Sequence, residues 1–282
     1  MESVSTVNAL YRDKRRRVWE LDFLRGLAVI LMCFDHLMFD FAYIRTWFSN
    51  FDSVKNPFVM WMRARALEYM QSDLRFYGHY IFVFLFLFLV GTSCAFSRDN
   101  IRRGAALGVF SLVFTGATFI VKAIGILDDG IIFGILHCIA LCILCAAAVD
   151  NLTRRNKYVN ILVPLALGTA ICAAGIGLQY WNMGRPYDMV FTPAHMFDYI
   201  IGTHGFGDDW FGLFPQVGAV LLGVYFGKAA YSARVSLVPA IDGKWNKPFR
   251  FVGRHALLFY VIHQVAIAGL VILLCLCLGY RL

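Results

Sequence analysis

The sequence predicts an all-α bundle of membrane-spanning helices, and three observations carry that prediction. Of the 282 residues, 60% are hydrophobic and only 16% are charged, whereas soluble domains carry about a quarter charged residues. Apolar runs of about 20 residues, the length needed to cross about 30 Å of hydrocarbon, recur along the whole chain. Lys and Arg gather in the polar stretches between alternate runs, the pattern that orients helices in a bilayer. There is no internal repeat of fixed period and no low-complexity tract, so residues 1–282 read as one transmembrane domain, with 1–18 as a cytoplasmic N-terminal segment.

Taken in order, Met1 to Asp13 lacks the apolar core and small-residue cleavage site of a signal peptide. Lys14 to Arg17 stands directly before the first apolar run, which therefore reads as a retained anchor. Spans are predicted at Trp19 to Tyr43, Phe76 to Phe96, Ala105 to Gly125, Gly130 to Val149, Val159 to Gln179, Trp210 to Lys228 and Phe251 to Leu278. That makes about seven, and more if the long last run is broken or the first outer connection inserts.

Arg98 to Arg103, Asn151 to Lys157 and Lys228 to Arg250 are basic, while the turn Leu127 to Gly130 carries only acids. This alternation places the N-terminus and the basic loops in the cytoplasm of a plasma-membrane protein, and an odd number of spans leaves Leu282 outside. Arg45 to Arg75 and Tyr180 to Asp209 become the two long outer connections. Pro57 to Met70 in the first reads as an interfacial helix, and the second is rich in Gly, Pro and aromatics. Long connections of this kind are where a substrate mouth is built.

The net charge of +8 sits at helix ends, where it orients the chain and meets anionic lipid, so no nucleic acid partner is expected. All eight cysteines lie in apolar runs, where free Cys packs as a small hydrophobe. Cys138, Cys142 and Cys145 share one helical stretch, but no second pair or paired His spacing accompanies them, and no metal is expected.

Chemistry concentrates on the first span. At about 100° per residue, Arg25 and His36 are almost three full turns apart and share a face. Asp22 lies one turn before Arg25 and Asp40 one turn after His36, extending the stripe toward both surfaces. Ionisable groups in hydrocarbon cost a few kcal/mol each and face the bundle interior or a wet cavity. A snorkelling Asp22–Arg25 pair and a packing histidine held by Asp40 would give the same spacing, so alignment of all four is what favours a functional path. His137 in the fourth span, and Arg254, His255, His263 and Gln264 in the last, add further polar groups at membrane depth, while His79 reads as interfacial.

These residues carry a resemblance. Leu21-Asp22-Phe23-Leu24-Arg25-Gly26, running through Ile30-Leu31-Met32 to His36, resembles the opening helix of the heparan-alpha-glucosaminide N-acetyltransferase catalytic-domain family, in its short bacterial branch. Gly91-Thr92-Ser93, Phe133-Gly134-Ile135-Leu136-His137, Trp210 to Gly218 with Pro215, and Gly253 to Gln264 follow in the same order. The opening spacing is also similar to that of the broader membrane acyltransferases that modify cell-surface sugars. The resemblance implies transfer from cytoplasmic acetyl-CoA, or another acyl-CoA, to a sugar or glycan acceptor beyond the membrane.

Under that resemblance Arg25 and Arg254 hold coenzyme A phosphates, with His263 also assigned to the acyl-CoA path. His36 acts as general base or acyl carrier, Asp40 orients it, and His137 assists with the oxyanion or leaving thiol. Asp22, Gly26 and Asp209 are structural or orienting, Asp209 as a helix cap. One departure is that the animal enzymes of the family have asparagine where this chain has His36 and place their catalytic histidine in the following luminal segment. Here Ile44 to Asn56 contains no histidine.

The rival reading is a proton-coupled small-molecule transporter using the same Arg, Asp and His path. Gly205-Phe206-Gly207-Asp208 matches the G-x-G-D of intramembrane aspartyl proteases, with Asp188 upstream. That reading is rejected, because both aspartates lie in one outer connection with no span between them. The acceptor, the acyl group and any homo-oligomer are left open by the sequence.

Overall fold

The computed structural model describes residues 18–124, 130–181, 187–188, 191–207 and 210–282. Among the described residues the helices are α1 (Trp19–Tyr43), α2 (Pro57–Met70), α3 (Asp73–Cys94), α4 (Asn100–Ala123), α5 (Ile135–Thr153), α6 (Lys157–Trp181), α7 (Met196–Ile201), α8 (Gln216–Ala230), α9 (Lys247–Arg254) and α10 (Ala256–Cys277). Two short strands, β1 (Tyr187–Asp188) and β2 (Gly205–Phe206), pair in parallel with Asp188 opposite Phe206.

Among the described residues, six helices are long and apolar enough to cross a membrane: α1 with its 3₁₀ extension, α3, α4, α5, α6 and α10. The chain is thus a polytopic helical membrane protein. The span predicted at Trp210 to Lys228 differs, because its helix begins only at Gln216 and has 15 residues, roughly 22 Å at 1.5 Å per residue. Pro215 occupies its N-cap position, so Trp210 to Phe214 approach the helix as irregular chain.

The last predicted span is two helices. His255 leaves helical geometry at φ −112° and ψ 25°, and its Nδ1 donates to the Phe251 carbonyl at 2.9 Å. A side chain that competes for the backbone acceptor in this way is a local cause of a break. By contrast, α2 has the bounds its sequence predicts: Asn56 accepts from the amides of Phe58 at 3.0 Å and Val59 at 3.3 Å, and Pro57 sits where its missing N–H costs nothing.

The chain forms two compact units, residues 1–86 with 234–282 and residues 87–233. In the first, Phe41, Ile44, Phe48, Phe51, Val59, Val271, Cys275 and Tyr280 form a buried cluster where α1, α2 and α10 meet. The Ser49 amide donates to Arg281 O at 2.8 Å and the Arg281 amide to Asn50 Oδ1 at 2.7 Å. These bonds hold the C-terminal residues at the end of the unit where α1 finishes.

Helices α1 and α9 touch backbone to backbone. A Cβ at Gly26 would stand 1.9 Å from Phe249 O, and one at Gly253 1.8 Å from Asp22 O, so only glycine fits at this crossing. In the second unit, α3 and α8 use the same device, where a Cβ at Gly91 would stand 1.9 Å from Val220 O. Helices α4, α5, α6 and α8 pack there as neighbours, and Lys228 Nζ closes one end of the packing on Asp150 Oδ1 at 2.6 Å and Asn160 Oδ1 at 2.8 Å.

Candidate functional site

The polar face of α1 is occupied at both ends, by different chemistry. Near its start, Arg25 Nη1 donates to Asp22 Oδ1 at 3.1 Å, and Arg254 Nε donates to Asp22 Oδ2 at 3.2 Å. One buried carboxylate therefore holds two guanidiniums from two helices. Arg254 reaches it because the Gly26 and Gly253 backbones touch one turn away. Each guanidinium has five N–H donors, and Arg254 keeps 39% of its side chain exposed, so this cluster can take a phosphate without breaking its internal pairs.

Three turns on, His36 Nδ1 lies 3.0 Å from the Met32 carbonyl. A carbonyl only accepts, so Nδ1 carries the proton and Nε2 keeps the lone pair. His263 is arranged the same way, with Nδ1 at 2.6 Å from the Tyr260 carbonyl, and its Nε2 is buried without a hydrogen-bond partner. The two rings meet edge to face with centroids 4.7 Å apart. His263, expected in the acyl-CoA path, thus stands beside His36.

Asp40, expected to orient the His36 ring, accepts from Gln264 Nε2 at 2.9 Å and lies close enough to His36 for their charges to interact. Its other oxygen has no hydrogen-bond partner, and the carboxylate is almost wholly buried. The pairs His36 with His263 and Asp40 with Gln264 join α1 to α10 on successive turns.

Asp35 was not singled out by the sequence. It accepts from Tyr69 Oη at 3.0 Å and from Arg75 Nε at 3.2 Å and Nη2 at 3.4 Å, linking α1 to α2 and to the start of α3. Burial first, and then the Asp35 charge, push the Tyr69 hydroxyl up to about 12. His79 lies close enough to Asp35, Arg75 and His36 to feel their charge. The available signal was Arg75, a cation on a side the charge alternation assigns to the exterior, together with an aspartate in mid-span that needs a partner.

In the second unit, His137 Nε2 lies 3.2 Å from Thr115 Oγ1, and its Nδ1 is buried without a hydrogen-bond partner. The eight thiols are free, with Cys138 Sγ and Cys142 Sγ 3.9 Å apart. Asp209 lies outside the described residues, as does Asp208. Asp188 gathers His195, Tyr199 and His204, a cluster the sequence reading did not assemble. The His195 and Tyr199 hydrogen bonds hold its carboxyl at about 2, so it is ionised at any physiological pH.

A family model described as heparan-alpha-glucosaminide N-acetyltransferase, catalytic, matches residues 17–265, a stretch that runs from before Asp22 to just past His263 and Gln264. No curated protein and no solved structure matches the chain.

Proposed function

Because the chain belongs to the heparan-alpha-glucosaminide N-acetyltransferase catalytic family, and so is a membrane acetyltransferase of a family that draws on acetyl-CoA, we propose that its transfer crosses the bilayer. An acetyl group, or another short acyl, leaves a cytoplasmic thioester and arrives on an amine or hydroxyl of a sugar or envelope glycan on the extracytoplasmic side of the plasma membrane. The observation that carries this reading is His36, whose Nδ1 is fixed on Met32 O and whose Nε2 is thereby the basic nitrogen.

Arg25 and Arg254, gathered on Asp22, receive the coenzyme A phosphates through charge-assisted bonds. The pantetheine arm runs along α1, where eleven residues separate Arg25 from His36, roughly 16 Å at 1.5 Å per residue. His36 Nε2 takes the proton of the acceptor as its oxygen or nitrogen attacks the thioester carbon. As the tetrahedral intermediate collapses, the C–S bond breaks and the imidazolium returns that proton to the leaving thiolate.

His263 offers a second neutral imidazole beside the first, able to accept a hydrogen bond from the acceptor or from the His36 imidazolium. Asp40 and Gln264 fix α10 against α1. The test is purified protein in liposomes, with acetyl-CoA on one side and amino sugars on the other. Labelled acetate moves to the acceptor with wild type and not with His36→Ala of unchanged thermal stability. Transfer surviving in His36→Ala, or proton-coupled uptake without any acetylated product, overturns the reading.

A further inference from the structure

The connection between α6 and α8 brings Asp188, His195 and His204 together although six and then eight residues separate them in the sequence. We propose that these three residues form a binding site for a divalent first-row transition ion, zinc by preference. Sequence reading expects no metal because it weighed only the cysteine helix.

One ligand atom from each residue, a carboxylate oxygen and two ring nitrogens, lies within 4.8 Å of the other two. His195 Nδ1 is 2.8 Å from Asp188 Oδ2, and His204 Nε2 is 3.2 Å from Asp188 Oδ1. Zinc bound at about 2.0–2.2 Å by nitrogen and oxygen needs its ligand atoms roughly 3.3 Å apart. Both contacts to the carboxylate are shorter than that value, and the three ligand atoms lie within 4.8 Å of one another, so small side-chain rotations open a position for the ion between them.

The two imidazoles are stacked, with centroids 4.4 Å apart and planes at 25°, and both turn a nitrogen toward one carboxylate. A base held by a carboxylate needs one such ring. The second ring brings His204 Nε2, an atom enclosed by the fold, to 3.2 Å from the other oxygen of the same carboxylate. A metal at the centre of the three atoms would be ligated by both rings and the carboxylate at once.

The ligands are held by three separately anchored pieces of chain. Asp188 is fixed in β1 by its pairing with Phe206, and the buried Tyr199 hydroxyl donates to it, the outer partner that ligating carboxylates require. His195 ends a 3₁₀ turn. His204 directly precedes β2, after Gly202 closes α7 at φ +107°, a conformation that suits glycine. Trp210 Nε1 donates to Tyr199 O at 2.7 Å and so braces the whole. His195 is 39% exposed, which gives the ion an entry path and leaves a coordination position for water or a ligand oxygen. Two imidazoles and a carboxylate with an open position suit zinc and its first-row neighbours better than magnesium or calcium, which prefer oxygen.

The test uses the full chain in detergent, carrying no histidine tag and stripped with a chelator, titrated with Zn²⁺ or Co²⁺ alone. Wild type takes up about one ion per chain, the cobalt form shows ligand-field absorption, and zinc raises the thermal midpoint. His195→Ala and His204→Ala each lose that uptake and that midpoint shift. Tyr199→Phe, which keeps the packing, weakens affinity about 10–100-fold, and Cys138→Ser with Cys142→Ser binds as wild type. Should the alanine variants fail to fold, Asp188→Asn carries the same expectation. No uptake by wild type, uptake retained without either histidine, or uptake lost in the cysteine variant overturns the proposal.

Discussion

The ring of His263 stands at 89° to the ring of His36, with centroids 4.7 Å apart, and each ring is fixed through Nδ1 on a carbonyl of its own helix. Both therefore present a basic Nε2 nitrogen from facing helices. His36→Ala is expected to lower kcat for acetyl transfer about 10²–10⁴-fold, the usual worth of a positioned proton acceptor. His263→Gln should also lower kcat, with KM for acetyl-CoA little changed. A raised KM with unaltered kcat would return His263 to donor binding.

The shared carboxylate of Asp22 makes a different split. Arg254→Ala removes a proposed charge-assisted partner of the donor phosphates, worth about 1.5–3 kcal/mol, and should raise KM for acetyl-CoA about 10–100-fold while kcat holds. Steady-state kinetics with acetyl-CoA, and with an acetyl thioester of pantetheine that lacks the nucleotide, separates the effects. The arginine loss should disappear with the truncated donor.

Gly26→Ala places a methyl group 1.9 Å from Phe249 O, on backbone that cannot swing aside. Destabilisation of at least about 1–3 kcal/mol is expected, as for overpacking elsewhere. It should appear as a lower thermal midpoint in detergent. Gly116 is the control, since a Cβ there meets nothing within 4 Å. Gly116→Ala should be neutral or stabilise by about 0.5–1 kcal/mol through helix propensity.

Tyr69 gives a pH signature. Its hydroxyl titrates near 12 in the folded chain, above the ordinary value of 10, so the folded state favours the protonated form. The stabilisation is fully present below pH 10 and lost as pH rises toward 12. The difference in thermal midpoint between wild type and Tyr69→Phe should therefore shrink across that window. At neutral pH the substitution should cost about 1 kcal/mol, the net worth of one hydrogen bond.

The sequence makes legible whatever one helix determines alone. The bounds of α2 follow from Asn56 and Pro57, and the stripe of Asp22, Arg25, His36 and Asp40 follows from helical phase. Contacts made between helices are less accessible. Nothing local announces that Asp40 would meet Gln264. Asp35 lies off the stripe by one residue, and its partners arrive only when α2 and α3 fold back. Gly26 and Gly253 are legible as small residues but not as a crossing. The shortness of α8 was hidden because Trp210 to Phe214 are as apolar as the helix they precede. Asp188, His195 and His204 are spaced in no recurring pattern, and the β1–β2 pairing together with the 3₁₀ turn at His195 brings them together.

The break at His255 has a consequence for how donor length is measured. Had the last apolar run been one continuous rod, the position of Arg254 would be set by the axis of α10. Instead Arg254 ends a separate short helix clasped to α1 at Gly26 and Gly253. Both guanidiniums of the proposed phosphate clamp are thus registered to α1, the helix that also carries His36. In the proposed reaction one helix then serves as the gauge for the whole donor, with phosphate end and thioester end marked on the same rod. Inserting a single residue between Arg25 and His36 would rotate one mark about 100° away from the other, leaving each site formed and the pair out of register.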